Sequence, residues 1–534
     1  MRRPSALVLA TLSLSAAFAG CLAAETESAL QPTSSATPYK VPDPDETLKL
    51  LEESFLVPMP GEDGVDIHVR VVRPDVDEPV PVVVQFTPYT APGRAMLIEP
   101  LVRPPAGAFV NEFVRRGFAF AYADVRGTGD SGGCLDLRGK LDVADAWNLT
   151  EHLGTQPWSN GKVGFIGASY PGSEAHIAAI ANNPHLGGVI PVVASTSFYH
   201  YHHKGGVPYE NHLSTNSGYT AFATAPTVNP QYANWLTRQV REAASCDQAT
   251  HLTVQLDQSG AYDTWWADRN LRPRVDEVQV PVLMAQGLAD WNVKPDHIAT
   301  WWNELSARKT LIAGQWPHQF PEDAPDAYGD WWEFAAAFFD ETLRATPTGL
   351  FDEDTAYVQG SDDAWYVYQG SWPPADATWG HWDAGEGAWN ARPAPADARE
   401  PTDDEQVIVE FDALGARLHL SGTPYLTLDL TTSRENVHVV AVLEREDGGA
   451  WVRENHGYLN PIYREGIEAP KPVVPGEEMT LAIDMYPQED VFDAGTKLRL
   501  VLRSVDGGNT VAMFDEAQIA FSGAVLHLPV APEE

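Results

Sequence analysis

One serine in this chain stands on a turn built for chemistry. In Gly167-Ala168-Ser169-Tyr170-Pro171-Gly172, Ser169 lies between a short apolar run (163–167) and a helical pattern (173–182). A serine on a sharp strand-to-helix turn has its hydroxyl held out of the sheet with a helix N-terminus behind it, as a nucleophile requires. The letters depart from G-x-S-x-G, because Pro171 takes the second glycine position and Gly172 follows one place later. Proline is tolerated in a first helical turn, so the elbow survives the change. A plain strand–turn–helix with an incidental serine fits the same letters. The discriminating test is whether an acid and a base follow in the order Ser, acid, His. They do: the apolar run 282–285 leads into a loop carrying Asp290, and the run 310–313 leads into a loop carrying His318. Such a set performs acyl transfer, the histidine taking the serine proton and the aspartate fixing the histidine tautomer. Trp291 and Trp316 flank the acid and the base, and are expected to wall a substrate pocket.

These residues can meet only if the strands before them run parallel in one sheet, since loops after the carboxyl ends of parallel strands gather at one edge. From residue 46 to 345, apolar runs (80–86, 118–123, 163–167, 188–193, 282–285, 310–313) alternate with helical patterns (108–116, 144–153, 173–182, 296–306, 331–343). This predicts an α/β domain with a mainly parallel sheet covered on both faces. Between 196 and 278 the alternation breaks into a stretch rich in aromatics, His, Asn and Gln, with helix-like pieces at 231–244 and 262–269. A helical cap over the sheet's carboxyl edge is expected there. After residue 350 the period shortens to that of antiparallel strands (407–411, 425–430, 437–443, 479–483, 498–502), with turns such as Asp447-Gly448-Gly449 and Asp506-Gly507-Gly508. The expected division is 46–195 and 279–348 for the α/β domain, 196–278 for the cap, and 349–534 for a jelly-roll-like β-sandwich.

The N-terminus reads as an export signal over 1–20: Arg2 and Arg3, then an apolar run over 6–18 too brief for an ordinary membrane span. Phe18-Ala19-Gly20-Cys21 resembles a lipoprotein cleavage box, which makes Cys21 the expected lipidation site and 21–45, rich in Ser, Thr, Pro and Ala, a flexible tether. Ordinary cleavage with secretion is the alternative, and the paired arginines hint at twin-arginine export, which the residues after them fit poorly. The expected location is the extracellular face of the cell membrane, or the medium.

The chain carries 74 Asp and Glu against 35 Lys and Arg, a net charge of −39 spread along its length. That excludes nucleic-acid binding, which needs a basic footprint. It suits high salt, where screening removes self-repulsion, and resembles the composition of halophilic archaeal proteins. Beyond Cys21 only Cys134 and Cys246 remain, enough for one disulfide if they meet. His200, His202 and His203 have a tempting spacing, but no carboxylate or thiolate cluster adjoins them, so no metal or cofactor is expected.

Several motifs are more specific. Phe86-Thr87-Pro88-Tyr89, Asp124-Val125-Arg126-Gly127-Thr128-Gly129-Asp130-Ser131-Gly132, 156–164 (QPWSNGKVG), Gly167-Ala168-Ser169-Tyr170 and Gly287-Leu288-Ala289-Asp290-Trp291-Asn292 together resemble the X-prolyl dipeptidyl-peptidase / cocaine-esterase family of α/β-hydrolases. Gly422-Thr423-Pro424 and Phe492-Asp493-Ala494-Gly495 extend the resemblance into the trailing β-domain. The resemblance implies Ser169 as nucleophile, His318 as general base and acid, and Asp290 as its orienting partner. It also implies an oxyanion hole made by the Tyr89 hydroxyl and the Tyr170 backbone N–H, while Arg126, Asp130 and Ser131 brace a nearby loop. The run Asp290-Trp291-Asn292-Val293-Lys294 is closer to the X-prolyl branch, which implies an aminopeptidase releasing X-Pro dipeptides. Such an enzyme must pair a substrate amino group, for which Glu210 and Asp263 in the cap are both candidates. A small ester or acyl amide is the alternative substrate. A non-catalytic surface-binding lipoprotein is the remote third reading, and it predicts loss of a triad member.

Overall fold

The computed structural model describes residues 49–60, 65–89, 109–224, 246, 248–322, 329–393, 401–512 and 514–532. Ten strands form its main sheet: β1 (Leu50–Pro58), β2 (Asp66–Pro74), β3 (Val80–Thr87), β4 (Ala119–Asp124), β5 (Ser159–Ala168), β6 (Leu186–Val192), β7 (Val282–Gly287), β8 (Lys309–Gly314), β9 (Thr355–Gln359) and β10 (Trp365–Gln369). Their spatial order is β1-β2-β4-β3-β5-β6-β7-β8-β9-β10. The seven strands from β4 to β9 run parallel, and antiparallel pairs close both edges.

Burial on both faces explains the continuous apolar letters of the central strands. Val82, Val84, Phe165, Val189, Met284 and Leu311 face one core with Ala146, Leu149 and Ile177. The alternate residues Val83, Ile166, Ile190, Leu283 and Ile312 face a second core with Phe334, Phe338 and Phe339. This period of two assigns side chains to the two faces, and the parallel direction of β4 to β9 delivers each strand's C-terminal loop to the same edge.

The helices are α1 (Lys140–Gly154), α2 (Tyr170–Ala181), α3 (Phe198–His202), α4 (Thr215–Thr224), α5 (Gln248–Leu256), α6 (Thr264–Ala267), α7 (Asp296–Glu304) and α8 (Trp331–Arg344). α3 to α6 and a 3₁₀ turn (Arg272–Glu277) build the cap. The helix-like piece expected at 231–244 lies outside the described residues, and the one at 262–269 shortens to α6. The helix expected at 108–116 is a π-helical turn, Val110–Val114, because Gly117 at φ 83° reverses the chain just beyond it. Among the described residues no helix is long and apolar enough to cross a membrane.

Two expectations need correction. The hairpin β1–β2 is absent from the runs expected as strands, because charges interrupt its apolar letters, with Arg70 paired to Glu52 and Arg73 to Glu53 across the strands. The boundary expected at residue 349 falls too early, since β9 pairs in parallel with β8 and β10 adds a further edge strand. A short hairpin at a sheet edge carries the same alternation as the sandwich that follows, so its letters alone do not assign it.

The β-domain packs a six-stranded sheet (Thr378–Ala391, Leu418–Gly422, Tyr425–Thr432, Met479–Asp484, Gln488–Phe492, Ala517–Val530) on a four-stranded one (Gln406–Glu410, Val439–Asp447, Ala450–Leu459, Leu498–Arg503). Its buried Glu489 fixes it to the α/β domain. The carboxylate accepts from Trp372 Nε1 at 2.8 Å, Tyr368 Oη at 2.5 Å, Ser421 Oγ at 2.7 Å and His419 Nε2 at 2.6 Å. A buried carboxylate is tolerated because its oxygens are filled by donors.

Cys134 and Cys246 form a disulfide with Cα atoms 5.5 Å apart, tying the loop after β4 to the cap across 112 residues of sequence. Closing so long a loop restricts the unfolded chain, so reduction or Cys134→Ser is expected to cost about 2–5 kcal/mol. Thermal melts with and without dithiothreitol test this; superimposable curves would contradict it.

Candidate active site

Ser169 sits between β5 and α2 with φ 66° and ψ −123°. A non-glycine residue in this region costs on the order of 1–3 kcal/mol and persists only where its surroundings over-determine it. Here Ser169 N–H donates to Val192 O and its carbonyl accepts from Ser173 N–H, each at 3.0 Å. Two glycines make the turn sterically possible. A Cβ on Gly167 would lie 2.4 Å from Pro171 Cβ, and one on Gly172 would lie 2.7 Å from Val192 O. Pro171 therefore fills the space over Gly167 while Gly172 makes the close approach to β6. This explains why the glycine is displaced by one position.

The acid and the base meet. His318 Nδ1 donates to Asp290 Oδ2 at 2.7 Å, with Asp290 fully buried and His318 almost so. Asp290 Oδ1 accepts from the backbone N–H of Asn292 at 2.8 Å and of Val293 at 2.9 Å. The carboxylate is locked from both sides, which fixes the imidazole tautomer and leaves Nε2 as the acceptor. Nε2 is buried and has no hydrogen-bond partner among the described residues. Ser169 follows β5, Asp290 follows β7 and His318 follows β8, so all three emerge at the carboxyl edge of the parallel strands.

Tyr170 opens α2, so its N–H is one of the donors that helix geometry leaves without an internal partner. Tyr89, at the end of β3, is buried and shares a 2.9 Å hydrogen bond with the Tyr219 hydroxyl on α4. Burial, reinforced by Tyr219, pushes the Tyr89 phenol well above its ordinary range. It stays protonated and able to donate. An amide at the elbow and a neutral phenol at the same sheet edge are groups suited to receive a developing oxyanion.

The two tryptophans expected as pocket walls pack in different surroundings. Trp291 is half-exposed and packs on His456 and Tyr486 of the β-domain, ring centroids 4.8 and 5.6 Å away. Trp316 joins the second core with its ring filling the space beside Gly314. Of the two carboxylates proposed for an amino group, Asp263 caps α6 by accepting from Trp265 and Trp266 N–H. Glu210 keeps a buried Oε1 without a hydrogen-bond partner among the described residues. Cys21 lies outside the described residues.

Arg126 is buried and bidentate to Asp145 at 2.7 and 2.6 Å, and Ser131 Oγ donates to Asp124 O at 2.7 Å, so both brace the loop after β4. Asp130 joins them through its N–H, which donates to Asp124 Oδ2 at 2.8 Å. His68, Asp124 and Asp130 cluster closely enough to hold a metal ion. However, His68 spends Nδ1 on Asp124 and Nε2 on Ser54, so the cluster serves as a further part of that brace. His202 and His212 are hydrogen-bonded to each other inside the cap. Sequence reasoning missed Tyr219 and the buried Arg138, because nothing in the letters around either points toward the elbow.

Residues 63–319 match the family model described as X-Pro dipeptidyl-peptidase (S15 family), and residues 313–512 match the X-Pro dipeptidyl-peptidase C-terminal non-catalytic domain. The two models run on from each other across both domains. The chain belongs to the S15 family. It is a serine-type hydrolase, peptidase- or esterase-like. Among S15 relatives, a Bacillus cereus protein named as a Xaa-Pro dipeptidyl-peptidase is 24% identical over 496 residues, covering 83% of each chain. The Xaa-Pro dipeptidyl-peptidase of Lactiplantibacillus plantarum is 26% identical over 343 residues, 58% of this chain and 41% of that one. In fold, the S15 chain is similar to an α-amino acid ester hydrolase (TM-score 0.70, 20% identity, 93% of this chain and 100% of that one). It is also similar to an aminopeptidase from a marine sediment Thaumarchaeota archaeon (TM-score 0.68, 17% identity, 96% and 100%).

Proposed function

We propose that the chain hydrolyses short peptides as an X-prolyl dipeptidyl-peptidase-like aminopeptidase, through an acyl-enzyme on Ser169. In this reading His318 Nε2 takes the serine proton as Oγ attacks the scissile carbonyl, then returns it to the leaving amine. Asp290 holds the imidazole and stabilises the imidazolium, while the Tyr89 hydroxyl and the Tyr170 amide receive the oxyanion. The observation that carries the reading is the Asp290–His318 pair, locked on one side and open at Nε2, at the same sheet edge as the strained Ser169. The family match and the relatives' names favour X-Pro peptides, and the unpaired Oε1 of Glu210 offers a partner for a free amino terminus.

An ester or acyl-amide substrate is the second reading, favoured because Asp263 is already committed as a helix cap. Gly-Pro-p-nitroanilide, its N-acetylated form and p-nitrophenyl acetate, compared in high-salt buffer, decide between them. The aminopeptidase reading expects kcat/KM for the free amino terminus to exceed that of the acetylated peptide by about 100-fold or more, because a site built to pair a polar group rejects the analogue lacking it. Equal rates, or turnover of the ester alone, would favour the second reading. We read residues 1–20 as the signal that exports the enzyme, and Cys21 as the lipidated residue that anchors it.

A further inference from the structure

Behind the elbow lies a cation that the mechanism above does not use. Arg138 is 3% exposed, and its guanidinium carbon lies 4.1 Å from the ring centroid of Tyr170, 4.9 Å from Phe198 and 5.7 Å from both Tyr201 and Tyr219. Nε and Nη1 are buried without a hydrogen-bond partner, and among the described residues no carboxylate forms an ion pair with it. The buried acids Asp142 and Glu174 make no ion pair with it. Asp142 spends Oδ2 on the backbone N–H of Arg138 at 2.7 Å, and burial with repulsion from Asp136 and Asp145 pushes its carboxyl well above the usual range. Glu174 is fully buried with both oxygens unpartnered, and burial with repulsion from Asp142 pushes it up against the attraction of Arg138. The backbone is strained to present this side chain, with Leu137 at φ 55° and Arg138 at φ 67°. Adjacent left-handed non-glycine residues cost on the order of 1–3 kcal/mol each, and such strain gathers at functional sites.

A buried charge without a counter-ion is costly, and ring faces offset only part of that cost. The rings it touches are not arbitrary. Tyr170 supplies the elbow amide, and the Tyr219 hydroxyl is bonded to that of Tyr89. We infer that Arg138 is a positioning residue for the oxyanion: its uncompensated positive charge orients and polarises the Tyr170–Tyr219–Tyr89 group, and is balanced only when negative charge develops on the substrate oxygen. An interaction realised only in the transition state raises kcat rather than lowering KM. This inference rests on the acyl-transfer reading of Ser169.

The test uses p-nitrophenyl acetate in high-salt buffer with wild type, Ser169→Ala, Arg138→Met and Arg138→Lys, and phenylboronic acid as a tetrahedral mimic. Arg138→Met is expected to lower kcat by about 10- to 100-fold with KM within about twofold, less than loss of a direct oxyanion donor. Phenylboronic acid should bind more weakly by a similar factor, and Arg138→Lys should recover much of both losses because it keeps the charge. A kcat within about twofold of wild type, a change in KM alone, unaltered boronate affinity, or Lys as damaging as Met would each overturn the inference. If near-UV circular dichroism shows that Arg138→Met is unfolded, Tyr219→Phe takes its place. It should lower kcat and boronate affinity together, and wild-type values for both would overturn the inference. Wild type and Ser169→Ala giving the same rate would instead remove the acyl-transfer reading, and the inference with it.

Discussion

Ser169→Ala is expected to lower kcat by about 10⁴- to 10⁶-fold while leaving the fold intact. The size follows from the unit in which Ser169 acts. Without its Oγ, His318 has no hydroxyl to deprotonate and the Asp290–His318 pair is idle, so one substitution forfeits the contribution of all three. The remaining catalysis over water comes from substrate binding and the oxyanion donors. Alanine is the appropriate replacement because the strained turn is fixed by the backbone bonds to Val192 and Ser173 and by the close approaches at Gly167 and Gly172. None of these involves the hydroxyl. Steady-state rates on the best substrate of the panel, beside a thermal melt of the variant, check the expectation. A residual rate within about tenfold of wild type would place the nucleophile elsewhere.

The second large effect is expected from Asp290→Asn, a loss of about 10⁴-fold in kcat. The asparagine carbonyl can still accept from Asn292 and Val293, so the loop survives. Its amide would then face His318 Nδ1 as a donor, where the carboxylate had been an acceptor. The imidazole must flip to the tautomer that carries its proton on Nε2, and a protonated Nε2 cannot take the serine proton. Asp290→Ala is a poorer probe, since it strands two buried amides at about 1–3 kcal/mol each and confuses stability with catalysis. A pH–rate profile on Asp290→Asn, with the melt as control, distinguishes a tautomer defect from unfolding. Near-wild-type kcat in the folded variant would contradict the assigned role.

The legible parts of the molecule were those where one physical cause sets the letters. Central strands buried on both faces carry continuous Val, Ile and Leu, so β3 to β8 lie within a few residues of their expected positions. The order Ser, Asp, His followed from where each loop must emerge, and the structure joins Asp290 to His318 as that order requires. Edge strands were illegible for the opposite reason. In β1 and β2 one face is wet and charged, and β9 and β10 mimic the hairpins of the next domain. Trp291 shows the limit of sequence neighbourhood, because adjacency to Asp290 does not tell which way a ring turns, and this one turns to the β-domain. Arg138 and Tyr219 reach the elbow through the fold alone, from 31 residues before Ser169 and 50 after it.

The central claim is that Ser169 is a nucleophile activated by its partners. Incubation with a fluorophosphonate in high-salt buffer, followed by intact-mass and peptide-mapping mass spectrometry, tests it most directly. A single adduct is predicted on the peptide containing Ser169, absent from Ser169→Ala and formed far more slowly by Asp290→Asn. Labelling that persists in Ser169→Ala, or a folded wild-type protein that takes no label, would contradict it.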